Sequence, residues 1–312
     1  MRHLGRLSFI LPLLALPAQA AAYPLTVDNC GHTITFNQAP ERVVTIKSTT
    51  TEMLLSLGLG DHIVGVGFQD GPLPPHLALA GAGLPVLSDK LPSQEVVLEV
   101  EPDLIYGGWE SNFAADGAGE RSTLATFGVA TYVAPAACRS TKPAKLTFDH
   151  LLDQIDELGA IFDAGDAAAR LVADQKAALN AITPDPRGLT ALWYSSGTKT
   201  PYVGAGSNAP AMIMEALGLQ NIYAEIDEGW TSASWEAIVD ANPDVIILVD
   251  AAWNSAEQKR TLLAENPITS QLDAVINQRY LIIPFPASEA GIRNVPATAD
   301  LAAQLAKLTF GE

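Results

Sequence analysis

Apolar positions in this chain fall into two kinds of run. The short runs, Leu-Ile-Tyr at 104–106 and Val-Ile-Ile-Leu-Val at 245–249, have no polar alternation, as expected of parallel strands covered on both faces. The longer pattern places Leu151, Leu152, Ile155, Leu158, Ile161, Phe162, Leu171, Val172 and Leu179 at helical spacings. It predicts one long helix over 147–183, with a break near Gly165. Pro184-Asp185-Pro186-Arg187-Gly188 ends the helix, and 189–194 opens a new strand.

The runs on either side of this helix repeat one another. Ser93-Gln94-Glu95-Val96-Val97 leads, nine residues after its Ser, to Pro102-Asp103-Leu104-Ile105-Tyr106. Ser234-Trp235-Glu236-Ala237-Ile238 leads at the same spacing to Pro243-Asp244-Val245-Ile246-Ile247. In each copy the Ser is placed to cap a short helix, the Glu falls in its first turn, and Pro stops it before an apolar strand. A second echo, Met-Leu-Leu-Ser-Leu-Gly-Leu-Gly at 53–60 and Ile-Met-Glu-Ala-Leu-Gly-Leu-Gln at 213–220, runs helix into a Leu-Gly-Leu stop. The expected fold is therefore α/β: two doubly wound lobes with parallel sheets, 23–146 and 184–312, joined by one long spanning α-helix over 147–183. Two lobes also agree with 312 residues at roughly 100–200 per domain.

The first 22 residues change the picture of where this fold works. Arg2 and Arg6 precede an apolar stretch to Pro17, and Ala18-Gln19-Ala20 supplies small residues for cleavage, so 1–22 reads as an export signal. The expectation is a periplasmic protein without a lipid anchor, because the residues before Cys30 (Val27-Asp28-Asn29) are polar and unlike the approach to a lipidated Cys. In that oxidising compartment the two cysteines, Cys30 and Cys138, read as a disulfide.

Charge narrows the partners. With 18 Lys and Arg against 35 Asp and Glu the net charge is −17, or 16 − 35 = −19 once Arg2 and Arg6 are removed. No basic run is present to replace the counterions of a nucleic acid.

Ligand chemistry belongs in the crevice where loops leave the carboxyl ends of parallel strands. Those loops are 47–50, 68–70, 108–111, 193–196, 229–231, 250–253 and 286–293. They hold Trp109, Trp193, Trp230 and Trp253, four of the five tryptophans, in places where Leu, Val and Ile already supply a core. Stacking on a large ring-bearing ligand is the implied role. Lys47, Ser48, Thr49, Glu110, Tyr194 and Arg293 complete the expected ligand set, with Lys47 and Arg293 as the cations placed to meet an anionic group. Glu110 and Asp70 add negative charge, which favours a more neutral ligand over a highly anionic catecholate chelate.

The order Pro40-Glu41-Arg42-Val43-Val44 into a strand, Thr51-Glu52 opening a helix, the Ser-x-Glu helix before Pro-Asp-Leu-Ile, and the long central helix resembles the helical-backbone substrate-binding proteins of ABC importers, the binders of ferric siderophores, haem and vitamin B12. That resemblance covers essentially the whole chain after 1–22. It implies a monomer that captures a metal chelate or corrinoid between its lobes and delivers it to a permease dimer at the inner membrane. It further implies that Glu95 and Glu236 dock against permease arginines, where paired carboxylates on duplicated lobes would meet a two-fold partner. No cofactor is expected.

Two other classes fit the residues less well. A bare metal binder finds little support, because His32, His62, His76 and His150 are dispersed. A hydrolase in the interlobe cleft lacks a phosphate loop, a Gly-x-Ser-x-Gly elbow and a His-Glu-x-x-His pair. His150 with Asp149 and Asp153 could form an acid/base group, but its place on the spanning helix reads as surface.

Overall fold

Each half of the chain builds its own sheet, and a helical segment over 147–183 runs between the two. The computed structural model describes residues 23–310. The export signal expected over 1–22 lies outside the described residues. Among those described, no helix is long and apolar enough to cross a membrane.

The first half opens with a hairpin, β1 (Leu25–Asn29) against β2 (His32–Phe36). Next come β3 (Val43–Ile46), β4 (Ile63–Gly67), β5 (Val86–Ser88), β6 (Leu104–Gly107) and β7 (Ala130–Val133), all parallel, in the order β5-β4-β3-β6-β7. Helices α1 (Ser48–Ser56), α2 (Gln94–Leu98) and α3 (Arg121–Thr126) lie between them. Val43, Val44, Ile46, Leu104 and Ile105 are buried, as the unbroken apolar runs require of a sheet covered on both sides.

The second half contains β8 (Thr190–Ser196), β9 (Tyr202–Gly204), β10 (Gln220–Asn221), β11 (Trp230–Ser232), β12 (Val245–Asp250) and β13 (Tyr280–Pro284), in the order β11-β9-β8-β12-β13 with β10 also on β8. This sheet is mixed rather than parallel: β9 runs antiparallel to β8, and β11 to β9. A tight return at Gly197 (φ +83), where an added Cβ would lie 2.2 Å from the Thr200 carbonyl oxygen, sends β9 back along β8. Its helices are α6 (Ala209–Ala216), α7 (Trp235–Ala241), α8 (Ala256–Glu265), α9 (Asp273–Ile276), α10 (Phe285–Ser288) and α11 (Asn294–Leu305).

The connection over 147–183 is not one rod. It comprises α4 (Phe148–Ile161) and α5 (Gly165–Asn180), separated by a reversal at 162–164 where Asp163 takes φ 53. Gln175 and Leu179 of α5 come back beside Phe148 and Leu151 of α4, so the pair is a helical hairpin. Gly159 permits the crossing, since a Cβ there would meet Ala168 Cβ at 2.4 Å. One stripe of periodic apolar residues serves a folded pair as well as a single helix, because both present that stripe to neighbouring protein.

The internal repeat has a matching physical basis in both halves. Ser93 and Ser234 cap α2 and α7, accepting from Val96 N and Ala237 N. Asp103 accepts from the backbone amides of Glu41 and Arg42, and Asp244 from the amide and hydroxyl of Thr190. Each Pro-Asp thus fastens the first central strand of its own sheet, β3 or β8, beside the strand that follows the Asp. Gly58 (φ +76) and Gly218 (φ +74) end α1 and α6 with the same pair of reverse hydrogen bonds.

Candidate functional site

Between the lobes lies a cleft of about 1120 Å³. Its first wall comes from Thr49, Gly108 and Trp109 at the ends of β3 and β6. The second comes from Ser195, Ser196, Tyr202, Trp230 and Trp253 of the other sheet, with Ser288, Glu289 and Ala290 after β13. Residues His150, Gln154 and Glu157 of α4 form the floor, and the crossing segment 134–146 closes one side. Loops at strand carboxyl ends thus converge here as the topology requires.

Trp109 is the most constrained group in the cleft. Its indole Nε1 donates to Glu289 Oε2 across the lobes at 2.7 Å. The Lys47 ammonium lies 3.7 Å from its ring centroid, and Phe68 meets it edge-on at 5.8 Å. Lys47 is fully buried and paired with Asp70, and also lies over Phe68 (4.6 Å) and Phe285 (5.2 Å). Its backbone takes φ 85, a sparsely populated region for a residue with a Cβ, and its own Cβ stands 2.7 Å from where a Cβ on Gly108 would lie. Only glycine at 108 allows that approach.

Glu289 is partly open to the cleft yet surrounded by protein. That desolvation pushes its carboxyl above the ordinary value, against the Trp109 hydrogen bond and the positive charge of Lys47.

Of the residues expected from the sequence, Thr49, Trp109, Trp230 and Trp253 line the cleft. Lys47 and Ser48 are buried behind it, with Ser48 Oγ accepting from the Asp70 amide. Trp193 and Tyr194 are corrected to core residues, both fully buried. Strand β8 continues to Ser196 and is covered on both faces, so its successive side chains enter opposite cores. Tyr194 donates to the Gly197 carbonyl, and burial pushes its hydroxyl up to about 12.

Arg293 is also corrected. Its guanidinium is paired with buried Glu52 on the other lobe and donates to the Pro72 carbonyl, so it joins the lobes and does not line the cleft. Burial raises the Glu52 carboxyl and Arg293 opposes the shift.

Glu110 does not line the cleft either. Its carboxylate accepts from the backbone amides of Arg139 and Ser140. Burial alone would raise this carboxyl, but the Ser140 side chain together with those two amides outweighs it and holds it below the ordinary value. Glu110 therefore stakes the cleft's side wall, as does the Cys30–Cys138 disulfide, with Ser140 Oγ donating to the Cys30 carbonyl at 2.9 Å. Asn208 Nδ2 ties the same wall to the second lobe through the Ala136 carbonyl.

Several lining residues escaped the sequence. Glu289 lay inside the expected loop 286–293 with nothing to single it out, and the antiparallel return that brings Tyr202 to the cleft followed a Gly-Thr-Lys-Thr-Pro turn signal at 197–201. His150 lines the floor while capping α4 with Thr147. The charged side chains of the cleft are mostly acids, Asp153, Glu157, Asp227, Glu228 and Glu289, against Arg139 and Lys142. No group of three or more His, Cys, Asp or Glu among the described residues could hold a metal ion.

The sequence model of the periplasmic binding proteins matches residues 43–287. An uncharacterised ABC transporter substrate-binding lipoprotein, YvrC, of Bacillus subtilis is 24% identical over 298 residues, which cover 93% of this chain and 88% of that protein. A vitamin B12-binding protein of Vibrio parahaemolyticus is 24% identical over 260 residues, 80% of this chain and 86% of the relative. Among solved structures, a protein of an ABC-type Fe3+-hydroxamate transport system from Saccharomonospora viridis superposes with a TM-score of 0.77 at 26% identity, covering 91% of this chain and 99% of that one.

Proposed function

Because this chain belongs to the periplasmic binding protein family, whose members here are substrate-binding transport proteins and not enzymes, we propose that it captures a corrinoid between its lobes and hands it to an ABC permease. The cleft is the observation that supports this. At about 1120 Å³ it exceeds the roughly 300–1,000 Å³ of ordinary small-molecule pockets. Trp109, Trp230 and Trp253 supply ring faces, and five acids against two cations favour a ligand rich in hydrogen-bond donors over one bearing several carboxylates or catecholates. A vitamin B12-binding relative spanning most of the chain agrees with that ranking. A ferric hydroxamate, named for the solved neighbour, is the competing ligand.

The same proposal includes export by the signal at 1–22 without lipidation. The disulfide engages both cysteines, which supports an unlipidated form, in contrast to the lipoprotein relative. Delivery as a monomer would use Glu95 and Glu236, which are exposed in the first turns of α2 and α7.

Titration calorimetry with cyanocobalamin, ferrioxamine B and haemin tests the ligand. Tight binding of cyanocobalamin alone is expected, and preference for either of the others would overturn the corrinoid assignment.

A further inference from the structure

Lys259 of α8 is fully buried and does not line the cleft, yet its ammonium donates to two backbone carbonyls, those of Val249 and Asn254, each at 2.6 Å. One of these carbonyls lies near the end of β12, just before the tight turn 251–254, and the other belongs to the turn's last residue, Asn254, which forms an isolated bridge with Ala251. At its tip is Trp253, 61% exposed, packed edge-on over Phe285 at 4.7 Å and forming part of the cleft wall. The turn is closed from the other end by Asp250, whose carboxylate accepts from Ala256 N at 2.8 Å.

An exposed indole on a four-residue turn would sample many orientations unless the turn's base were held. Burying an ammonium is costly, and Met or Leu would fill the same space without that cost. What Lys supplies is several donors on one atom, enough to hold two carbonyls together. Burial accordingly lowers the Lys259 ammonium to about 8, with the Asp250 charge opposing.

We infer that Lys259 is the positioning residue for Trp253, fixing from behind the sheet the aromatic plane that the ligand meets. The inference rests on the proposed interlobe binding site, since it assigns Trp253 a contact there.

Fluorine NMR of the full chain labelled with 5-fluorotryptophan gives five tryptophan signals, and Trp253→Phe assigns the one in question. In Lys259→Met the Trp253 signal should shift and broaden, while those of Trp193 and Trp235, buried against the same sheet, stay in place. An unchanged Trp253 signal overturns the inference. If Lys259→Met does not fold, Lys259→Gln, uncharged and one atom shorter, is read by the same two outcomes.

With cyanocobalamin as probe, Lys259→Met should weaken binding about tenfold, and the double variant with Trp253→Ala should bind no more weakly than Trp253→Ala alone. Additive losses would show that Lys259 acts elsewhere. Failure of the wild type to bind cyanocobalamin would refute the corrinoid assignment and leave the fluorine measurement to decide Lys259.

Discussion

Trp109 and Glu289 stand on opposite lobes and are joined by a 2.7 Å hydrogen bond from the indole to the carboxylate. One cleft wall is thereby oriented by the other before any ligand arrives. With Lys47 beneath its ring, Trp109 has little rotamer freedom left to lose on binding. Trp109→Ala should weaken cyanocobalamin binding by about 1–3 kcal/mol. Calorimetry measures this directly, and an unchanged affinity would remove Trp109 from the site.

Burial of Glu289, partly opposed by that bond, gives a pH dependence with a definite sign. Glu289 holds its proton more tightly when folded than when unfolded, because burial raises its carboxyl. Its contribution to stability is fully present below the unfolded value and is lost as pH rises through the folded one. The stability difference between wild type and Glu289→Gln should therefore decline with rising pH across the window just above the ordinary carboxylate range. Urea titrations at several pH values would show the slope, and a rising difference would contradict the assignment.

Arg293 and Glu52 act on stability. Glu52 is 1% exposed, so Arg293→Ala leaves a buried carboxylate without its partner. A loss of about 3–5 kcal/mol is expected, and Glu52→Gln in the same background should recover part of it. Cyanocobalamin affinity of the refolded variant should change far less than in Trp109→Ala. Equal losses of affinity would return Arg293 to the ligand site.

The disulfide spans 108 residues of sequence. On chain-entropy grounds a loop of that length stabilises by about 4–5 kcal/mol. Denaturant midpoints of Cys30→Ser/Cys138→Ser against wild type should show a loss of this order. Because Cys138 belongs to the cleft wall, affinity should fall as well.

Glu95→Ala with Glu236→Ala should leave cyanocobalamin affinity intact and abolish transport through the cognate permease in proteoliposomes. Both side chains are exposed and neither lines the cleft, so a loss of binding would show that they serve the site.

Periodicity made much of the fold legible. The Ser-x-Glu helices, the Pro-Asp strands and the Leu-Gly-Leu stops are local: caps, dipoles and left-handed glycines act within a few residues, so spacing alone reports them. The break near Gly165 was legible, but the reversal there that folds α4 and α5 into a hairpin was not, since the apolar stripe is the same in rod and hairpin, and only the packing of Leu179 beside Phe148 tells them apart. The antiparallel returns of β9 and β11 depended likewise on pairing partners distant in sequence.

The amino-acid sequence by itself determined that two copies of one α/β unit, separated by helix, would present tryptophan-bearing loops at the ends of their strands. Tertiary structure alone decided which of those residues face the cleft. It sent Trp193 and Tyr194 into opposite cores, turned Lys47, Glu110 and Arg293 toward protein partners, and brought Glu289 to Trp109. Strand exits are set by local periodicity, but whether a polar or aromatic side chain is free for a ligand depends on which groups 23 to 241 residues away in the chain reach it first, the span from Lys47–Asp70 to Arg293–Glu52.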